Sequence, residues 1–277
     1  MNLVAQAEFL DKTDADELAR LAQAASVEKL TATAFRLRDA KKDEAVGAYC
    51  EARKIDYAWV PEGRRFAGLK LLAMDMDSTL ITIECIDELG DLAGKKTEIA
   101  SITAQAMRGE LDYPDSLRRR VAALANLQEQ SLLRVYEERL KLTSGAEVLI
   151  EACKKNGVRL LLVSGGFTFF TERLKQRLGL DYIISNRLEI KDGRLTGRLL
   201  GEIVDANAKA AKFRAVMRGL GARKEQTVAI GDGANDLKMM AEAGLSIAFH
   251  AKPVVRAKAD CALSYSGLDA VVNLFET

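Results

Sequence analysis

The stretch Leu69-Lys70-Leu71-Leu72-Ala73-Met74-Asp75-Met76-Asp77-Ser78-Thr79-Leu80 joins a short apolar run to two carboxylates spaced two residues apart. A run of this length, closed by acidic residues, reads as a strand buried on both faces. Asp75 and Asp77 then fall at its carboxyl end, where unpaired charge is costly to bury. A divalent cation relieves that cost. Mg²⁺ takes hard oxygen ligands, and residues i and i+2 of an extended chain can converge on one ion. The alternative is a turn or helix-cap cluster, which Asp, Ser and Thr also favour.

Working outward, RLLLVSGG (159–166), TVAIGDG (227–233) and LSIAFHA (245–251) repeat the pattern of an apolar run ending in small or acidic residues. Helical stretches follow at Thr168 to Leu178, Ala206 to Leu220 and Asp236 to Ala243. This alternation predicts an α/β fold with a Rossmann-like, doubly wound parallel sheet, in which ligands bind at the strands' carboxyl ends. Two segments interrupt it. Residues 84–141 are helix-rich and too long for an ordinary crossover, which predicts a helical cap. Between Ile183 and Val204, alternating residues around Asp192-Gly193 predict a β-hairpin flap.

Residues 1–67 show three apolar runs (Leu3 to Ala5, Thr33 to Leu37, Tyr57 to Val60) and two helical stretches (Asp14 to Ala24, Asp43 to Lys54). We read a small α/β N-terminal domain, joined through the polar turn Pro61-Glu62-Gly63-Arg64-Arg65 to a second domain over 68–277.

The 277 residues carry 41 Lys and Arg against 40 Asp and Glu, a balance that gives no global field for nucleic acid or an anionic membrane. With 48% hydrophobic residues but no apolar run of spanning length, the chain reads as globular. Cys50, Cys85, Cys153 and Cys261 form no C-x-x-C pair, and the N-terminus carries no basic region followed by an apolar stretch, so the expected address is the cytoplasm. A single histidine, His250, excludes any mechanism that needs a pair of histidines and any His-rich metal site. Chemistry must rest on carboxylates, Lys, Arg and hydroxyls; His250 itself reads as a loop or core residue.

Gly231-Asp232-Gly233-Ala234-Asn235-Asp236 places further carboxylates at a strand end, between glycines that let the backbone turn beside a ligand. Ser164-Gly165-Gly166 offers a hydroxyl and backbone N–H groups just before a helix, a geometry suited to anions. Lys209 stands at a helix start. Singly, these are common turn, cap and surface features. Their order is more telling: Asp-x-Asp, Ser-Gly, Lys, Gly-Asp-x-x-Asn-Asp, each at a strand end or helix start.

In that order the chain resembles the haloacid-dehalogenase-like superfamily, and within it the phosphoserine phosphatases. The resemblance runs from about Leu69 to the C-terminus and rests on DMDSTLITIECIDELG, MRGELDYPDSLRRRV, LVSGGF, NAK and AIGDGANDLKMM. It implies hydrolysis of O-phospho-L-serine to L-serine and phosphate, a step of serine biosynthesis, with one Mg²⁺ per site. Asp75 would be the phosphoryl-accepting nucleophile and Asp77 the general acid and base. Asp75, the backbone carbonyl of Asp77 and Asp232 would hold the metal; Ser164, Gly165 and Lys209 would grip the phosphoryl oxygens, with Gly166 in support. Asn235 would contact the phosphoryl region and Asp236 would support metal and lysine. The resemblance assigns Glu84 to the substrate ammonium and Arg120 to its carboxylate, a pairing that suits a zwitterion. Met107 and Tyr113, the latter where the family often has Phe, would line the cap's apolar side. By themselves Arg118-Arg119-Arg120 also read as a solvated helix face.

Other readings share the core: a phosphotransferase passing the phosphoryl group to an acceptor such as homoserine, a phosphatase of another small ester, or a serine-binding regulatory module without catalysis. Some members of the family carry an amino-acid-binding domain of the ACT type before the catalytic domain. Three apolar runs are few for that fold, and residues 1–67 are a candidate for serine sensing or for pairing two copies as a homodimer.

Overall fold

The computed structural model describes residues 1–276. The first six elements are β1 (Asn2–Gln6), α1 (Lys12–Leu21), β2 (Ser26–Thr31), β3 (Ala34–Arg38), α2 (Glu44–Arg53) and β4 (Asp56–Val60). Their strands form an antiparallel sheet ordered β2-β3-β1-β4, the split βαβ arrangement of ferredoxin-like folds. The sequence reading therefore counted one strand too few. The missing one, β2, is an edge strand of sequence SVEKLT whose side chains are largely exposed. Edge strands carry charge to discourage pairing with other chains, so no apolar run marks it.

All of β1 is buried although its sheet is antiparallel. Leu3 and Ala5 pack with Leu18, Leu37 and Val46 under the two helices, while Val4, Ala58 and Val60 join the large core formed with the rest of the chain. The back of this four-stranded sheet is thus packed into the larger core. Asp56 accepts backbone N–H bonds from Ser264, Tyr265 and Ser266 at 2.6, 2.9 and 2.8 Å. Arg36 donates to the carbonyls of Asn273 and Phe275 at 3.0 and 2.5 Å.

The chain continues through β5 (Leu71–Asp75), α3 (Cys85–Leu92), α4 (Lys96–Met107), α5 (Tyr113–Ala123), α6 (Gln130–Arg134), α7 (Ala146–Lys155), β6 (Arg159–Phe167), α8 (Thr168–Leu178), β7 (Tyr182–Lys191), β8 (Arg194–Leu200), α9 (Ala206–Gly219), β9 (Thr227–Gly231), α10 (Leu237–Glu242), β10 (Leu245–Phe249), α11 (Pro253–Arg256) and β11 (Cys261–Leu263). The sheet order is β11-β10-β9-β5-β6-β7-β8, parallel except for the β7–β8 hairpin. Leu72, Met74, Leu160, Leu162, Val228 and Ile230 face one layer; Leu71, Ala73, Leu161, Val163 and Ala229 face the other, with Phe213 and Met239. Period-two alternation with both faces apolar is why these strands read as unbroken hydrophobic runs.

From β5 the chain winds to β6 and β7 on one side, then returns to β9 and β10 on the other. The order reverses between β5 and β9, and the carboxyl ends of these two strands bear Asp75 and Asp232. A doubly wound sheet opens its ligand crevice at such a point. Above it sits the cap, α3 to α6. The hairpin turns through Asp192 and Gly193, both at positive φ (50° and 69°), as a tight hairpin turn requires. Its turn and second strand are bonded to the segment after α5: Asn126 donates to Leu195, Leu195 to Leu127, and Glu129 to Gly193.

Replacing Asp56 leaves three backbone N–H groups without their acceptor. We expect Asp56→Ala to destabilise the whole chain by about 3 kcal/mol, read as a lowered urea midpoint with an unchanged slope. An unchanged midpoint would show that the N-terminal sheet and the segment at 264–266 are not energetically joined at this contact.

Candidate active site

Asp75 ends β5 and is buried. Its Oδ1 accepts from the Met76 N–H at 2.8 Å and from Lys209 Nζ at 2.9 Å. No described group donates to Oδ2, so one carboxylate oxygen is anchored and the other is left for chemistry. Lys209 comes from the first turn of α9 and is fully buried; its second partner is Asp236 Oδ1 at 2.7 Å. Burial opposes the ammonium charge, but Asp236 and Asp75 outweigh it and hold Lys209 well above the usual lysine range. For Asp75 burial comes first and the charge of Asp236 second, and together they push its carboxyl well above the usual carboxylate range despite the lysine.

Beyond Asp75 the chain makes a wide turn over Met76–Leu80 that carries Asp77 to the opposite side. Asp77 Oδ1 accepts the Cys85 N–H at 2.8 Å, at the start of α3, and Oδ2 accepts Ser164 Oγ at 3.2 Å. Burial raises the Asp77 carboxyl; the Cys85 N–H and the Ser164 hydroxyl pull the other way. A carboxyl so placed can hold a proton or give it up, which is what a general acid and base needs.

The Ser164 hydroxyl is therefore committed: it donates to Asp77 and accepts from the Gly166 N–H at 2.8 Å. It is buried and does not line the pocket, whereas Gly165 and Gly166 do. The glycine at 166 is there for space, since a Cβ would stand 2.8 Å from Asp77 Oδ2 and 3.0 Å from Met76 Cε. A Cβ at Gly165 would collide with Tyr113 Oη.

Asp75, Asp232 and Asp236 each bring a carboxylate oxygen within 4.8 Å of the others, a cluster able to hold a metal ion. Asp77 does not enter it through its side chain. Within the cluster Asp236 is already engaged, one oxygen with Lys209 and the other with the Gly233 N–H at 3.1 Å. Asp232 is only loosely held, by Thr79 Oγ1 at 3.4 Å. Burial first, then the charge of Asp236, pushes the Asp232 carboxyl up to about 6.

These groups open into one pocket, lined also by Glu84, Ile86, Tyr113, Leu117, Arg120, Phe167, Gly233, Asn235 and Lys252. The cap supplies the mouth. Arg120, in the last turn of α5, spends its Nε on the Ser116 carbonyl at 3.4 Å. Tyr113 donates to the Gly165 carbonyl at 3.3 Å and closes one side; burial pushes its hydroxyl up to about 12. Glu84 is open to solvent at the mouth, yet the surrounding walls, followed by the charge of Asp77, push its carboxyl up to about 7.

Of the residues read from sequence, the structure brings together Asp75, Asp77, Glu84, Tyr113, Arg120, Gly165, Gly166, Asp232 and Asn235 at the pocket, with Ser164, Lys209 and Asp236 behind it. Met107 is set apart: it ends α4 and is 68% exposed. Lys252 was missed, although it stands in the loop after β10, a strand end beside that of β9. His250 is an exposed loop residue whose ring faces the Ser266 carbonyl at 3.1 Å.

A family profile for haloacid dehalogenase-like hydrolases matches residues 72–241, from β5 through the Asp232 loop. The chain belongs to the haloacid dehalogenase-like hydrolases. A phosphoserine phosphatase of Polaromonas is 52% identical over 215 residues, covering 76% of this chain and 91% of the relative. The crystal structure of a probable phosphoserine phosphatase from Vibrio cholerae superposes with a TM-score of 0.87 at 38% identity, over 99% of this chain and 85% of that one. A phospho-aspartyl intermediate analogue of a phosphoserine phosphatase superposes at 0.71 and 41% identity, over 75% of this chain and 99% of that one. Residues 3–46 match a domain of unknown function, DUF4072. As a haloacid dehalogenase-like hydrolase the chain is an enzyme, its Asp75–Asp77 turn occupying the strand end where the fold concentrates its charge.

The raised carboxyl of Asp232 sets a sign for stability. Its folded value near 6 lies above the unfolded 3.8, so the folded state binds the extra proton between them, and metal-free stability falls as pH rises through that window. Asp232→Asn removes this penalty. We expect the variant to melt higher than the parent in chelator near neutral pH, and to gain less stability than the parent from an added divalent cation. A variant that melts lower in chelator would contradict the charge balance described.

Proposed function

We propose that the chain hydrolyses O-phospho-L-serine to L-serine and phosphate, with Mg²⁺, through a phosphoryl group carried on Asp75. The observation that carries the reading is that Glu84 and Arg120 line the same pocket as Asp75 and Asp77. One anion and one cation at the mouth suit the ammonium and carboxylate of an amino acid, while its phosphoryl end reaches the strand ends. The likeness to phosphoserine phosphatases supports the same substrate.

The free Oδ2 of Asp75 attacks phosphorus in line with the serine oxygen. As the P–O bond to serine breaks, Asp77 delivers its proton to the departing oxygen. Asp77, now a carboxylate, takes a proton from water as that water attacks phosphorus. The Asp75–P bond breaks, phosphate leaves and Asp75 is restored. Lys209 keeps Asp75 Oδ1 fixed throughout, and the Gly165–Gly166 backbone and Asn235 lie where the phosphoryl oxygens would stand. Three acidic residues converge against one buried ammonium, so the donor set fits a divalent cation. Asp75, Asp232 and the Asp77 carbonyl would hold it with Asp236 in support, and when bound it supplies the positive charge that lets an anionic ester approach carboxylates. The four buried free cysteines support a reducing, cytoplasmic setting. The βαββαβ order of residues 1–60 supports an amino-acid-sensing or copy-pairing role for the N-terminal domain.

Phosphate release from O-phospho-L-serine, with and without Mg²⁺ and against a panel of other phosphate esters, tests the reading. Release should be magnesium-dependent, favour phosphoserine and fall by at least about a thousandfold in Asp75→Asn. Turnover of other esters in preference to phosphoserine would discard the substrate, and phosphoryl transfer to added homoserine in place of water would make the chain a transferase. The mouth adds a pH dependence. Protonating Glu84 removes its attraction for an ammonium, so product inhibition by L-serine should weaken as pH falls below about 7. Glu84→Gln should flatten that profile; an unchanged profile would remove Glu84 from ammonium recognition.

A further inference from the structure

Ser78 has a backbone that a serine rarely adopts. Its φ of 55° and ψ of 8° place it in the left-handed region, inside the turn that separates Asp77 from the cap. For a residue with a Cβ this costs roughly 1–2 kcal/mol, a cost that glycine avoids. A serine kept there points to a use for its hydroxyl. That hydroxyl donates to Glu84 Oε1 at 2.7 Å, while the Ser78 N–H reaches back to the Ile83 carbonyl at 3.3 Å and closes the 78–83 loop.

Glu84 needs such a tether. It stands immediately before α3, where a side chain would ordinarily cap the helix, yet it makes no capping hydrogen bond. Ser78 Oγ is its sole hydrogen-bond donor among the described residues. A glutamate has three rotatable side-chain bonds, and holding it still on substrate binding costs entropy unless something already holds it. The bond from Ser78 occupies Oε1 and leaves Oε2 for a ligand. Ser78 does not line the pocket wall, whereas Glu84 does.

We infer that Ser78 is a positioning residue for substrate recognition: its left-handed backbone aims a hydroxyl that pre-orients Glu84 toward the ammonium of the substrate. The inference deepens the proposed function and rests on the amino-acid reading of the pocket mouth. It separates two jobs within one turn, since Asp77 handles the proton and Ser78, the next residue, sets the selectivity filter.

The test uses Ser78→Gly, which suits the backbone and deletes only the hydroxyl, and Ser78→Asn, which tolerates the left-handed region and can donate from its amide. Each is compared with the parent on O-phospho-L-serine and on p-nitrophenyl phosphate, which has no ammonium. We expect Ser78→Gly to raise KM for phosphoserine about tenfold with kcat nearly unchanged, and to leave p-nitrophenyl phosphate hydrolysis at the parent's level. Ser78→Asn should recover part of the loss. In a Glu84→Ala background, Ser78→Gly should cost nothing further, because the two act through one contact. Equal losses on both substrates, or additive losses with Glu84→Ala, would overturn the inference and make Ser78 a structural part of the Asp77 turn. A parent with no preference for phosphoserine would overturn the substrate reading and this inference with it. A parent that shows the preference, with a Ser78→Gly variant that keeps it, would overturn this inference alone.

Discussion

Lys209 lies wholly inside the protein with its ammonium between Asp75 and Asp236, and the site is arranged around that contact. One buried cation faces three clustered carboxylates, Asp75, Asp232 and Asp236. The lysine neutralises part of this charge and fixes the orientation of Asp75 by taking one of its two oxygens. Asp236 in turn is fixed by the Gly233 N–H, so the loop after β9 and the helix start of α9 lock together beneath Asp75. Buried pairs of this kind add little net stability, because desolvation offsets attraction. Their value here is geometry: a carboxylate with one oxygen tied down and the other bare. The remaining negative charge is what makes the cluster receptive to a divalent ion.

The topology explains why these residues, far apart in the chain, meet. The order of strands reverses between β5 and β9, opening a crevice at their carboxyl ends, and β6 brings the two glycines to its other side. Gly166 has to be a glycine because Asp77 and Met76 occupy the space a side chain would need. The cap completes the pocket with Glu84, Tyr113 and Arg120, and it is bonded to the hairpin at Leu195 and Gly193. The pocket mouth is thus built on helices packed against the hairpin, while its floor is built on strand ends.

Much of this was legible in the sequence because parallel strands buried on both faces leave an unambiguous trace. The runs ending at Asp75, Gly166 and Gly231 gave the strands almost to the residue, and helix Thr168–Leu178 was read to its ends. Asp192-Gly193 marked the hairpin because its turn demands positive φ. What escaped was carried by exposed or committed groups. The edge strand β2 has no apolar period to betray it. The motif at Ser164 does not show that its hydroxyl also meets Asp77 and the Gly166 N–H, contacts that depend on the three-dimensional turn. Met107 was placed in the cap's lining by resemblance, whereas the end of α4 carries it outward. Lys252 has no motif and enters the pocket only because β10 lies next to β9.

The central claim is that Asp75 itself carries the phosphoryl group. Acid-quenching the enzyme during turnover of O-phospho-L-serine, followed by reduction of the acyl phosphate with borohydride and mass spectrometry of the peptide spanning 75–80, tests it most directly. The account predicts a reduced side chain at Asp75, an aspartate converted to its alcohol, and none at Asp77. Reduction at Asp77, or turnover with no trapped residue under conditions where hydrolysis of the intermediate is slowed, would contradict it.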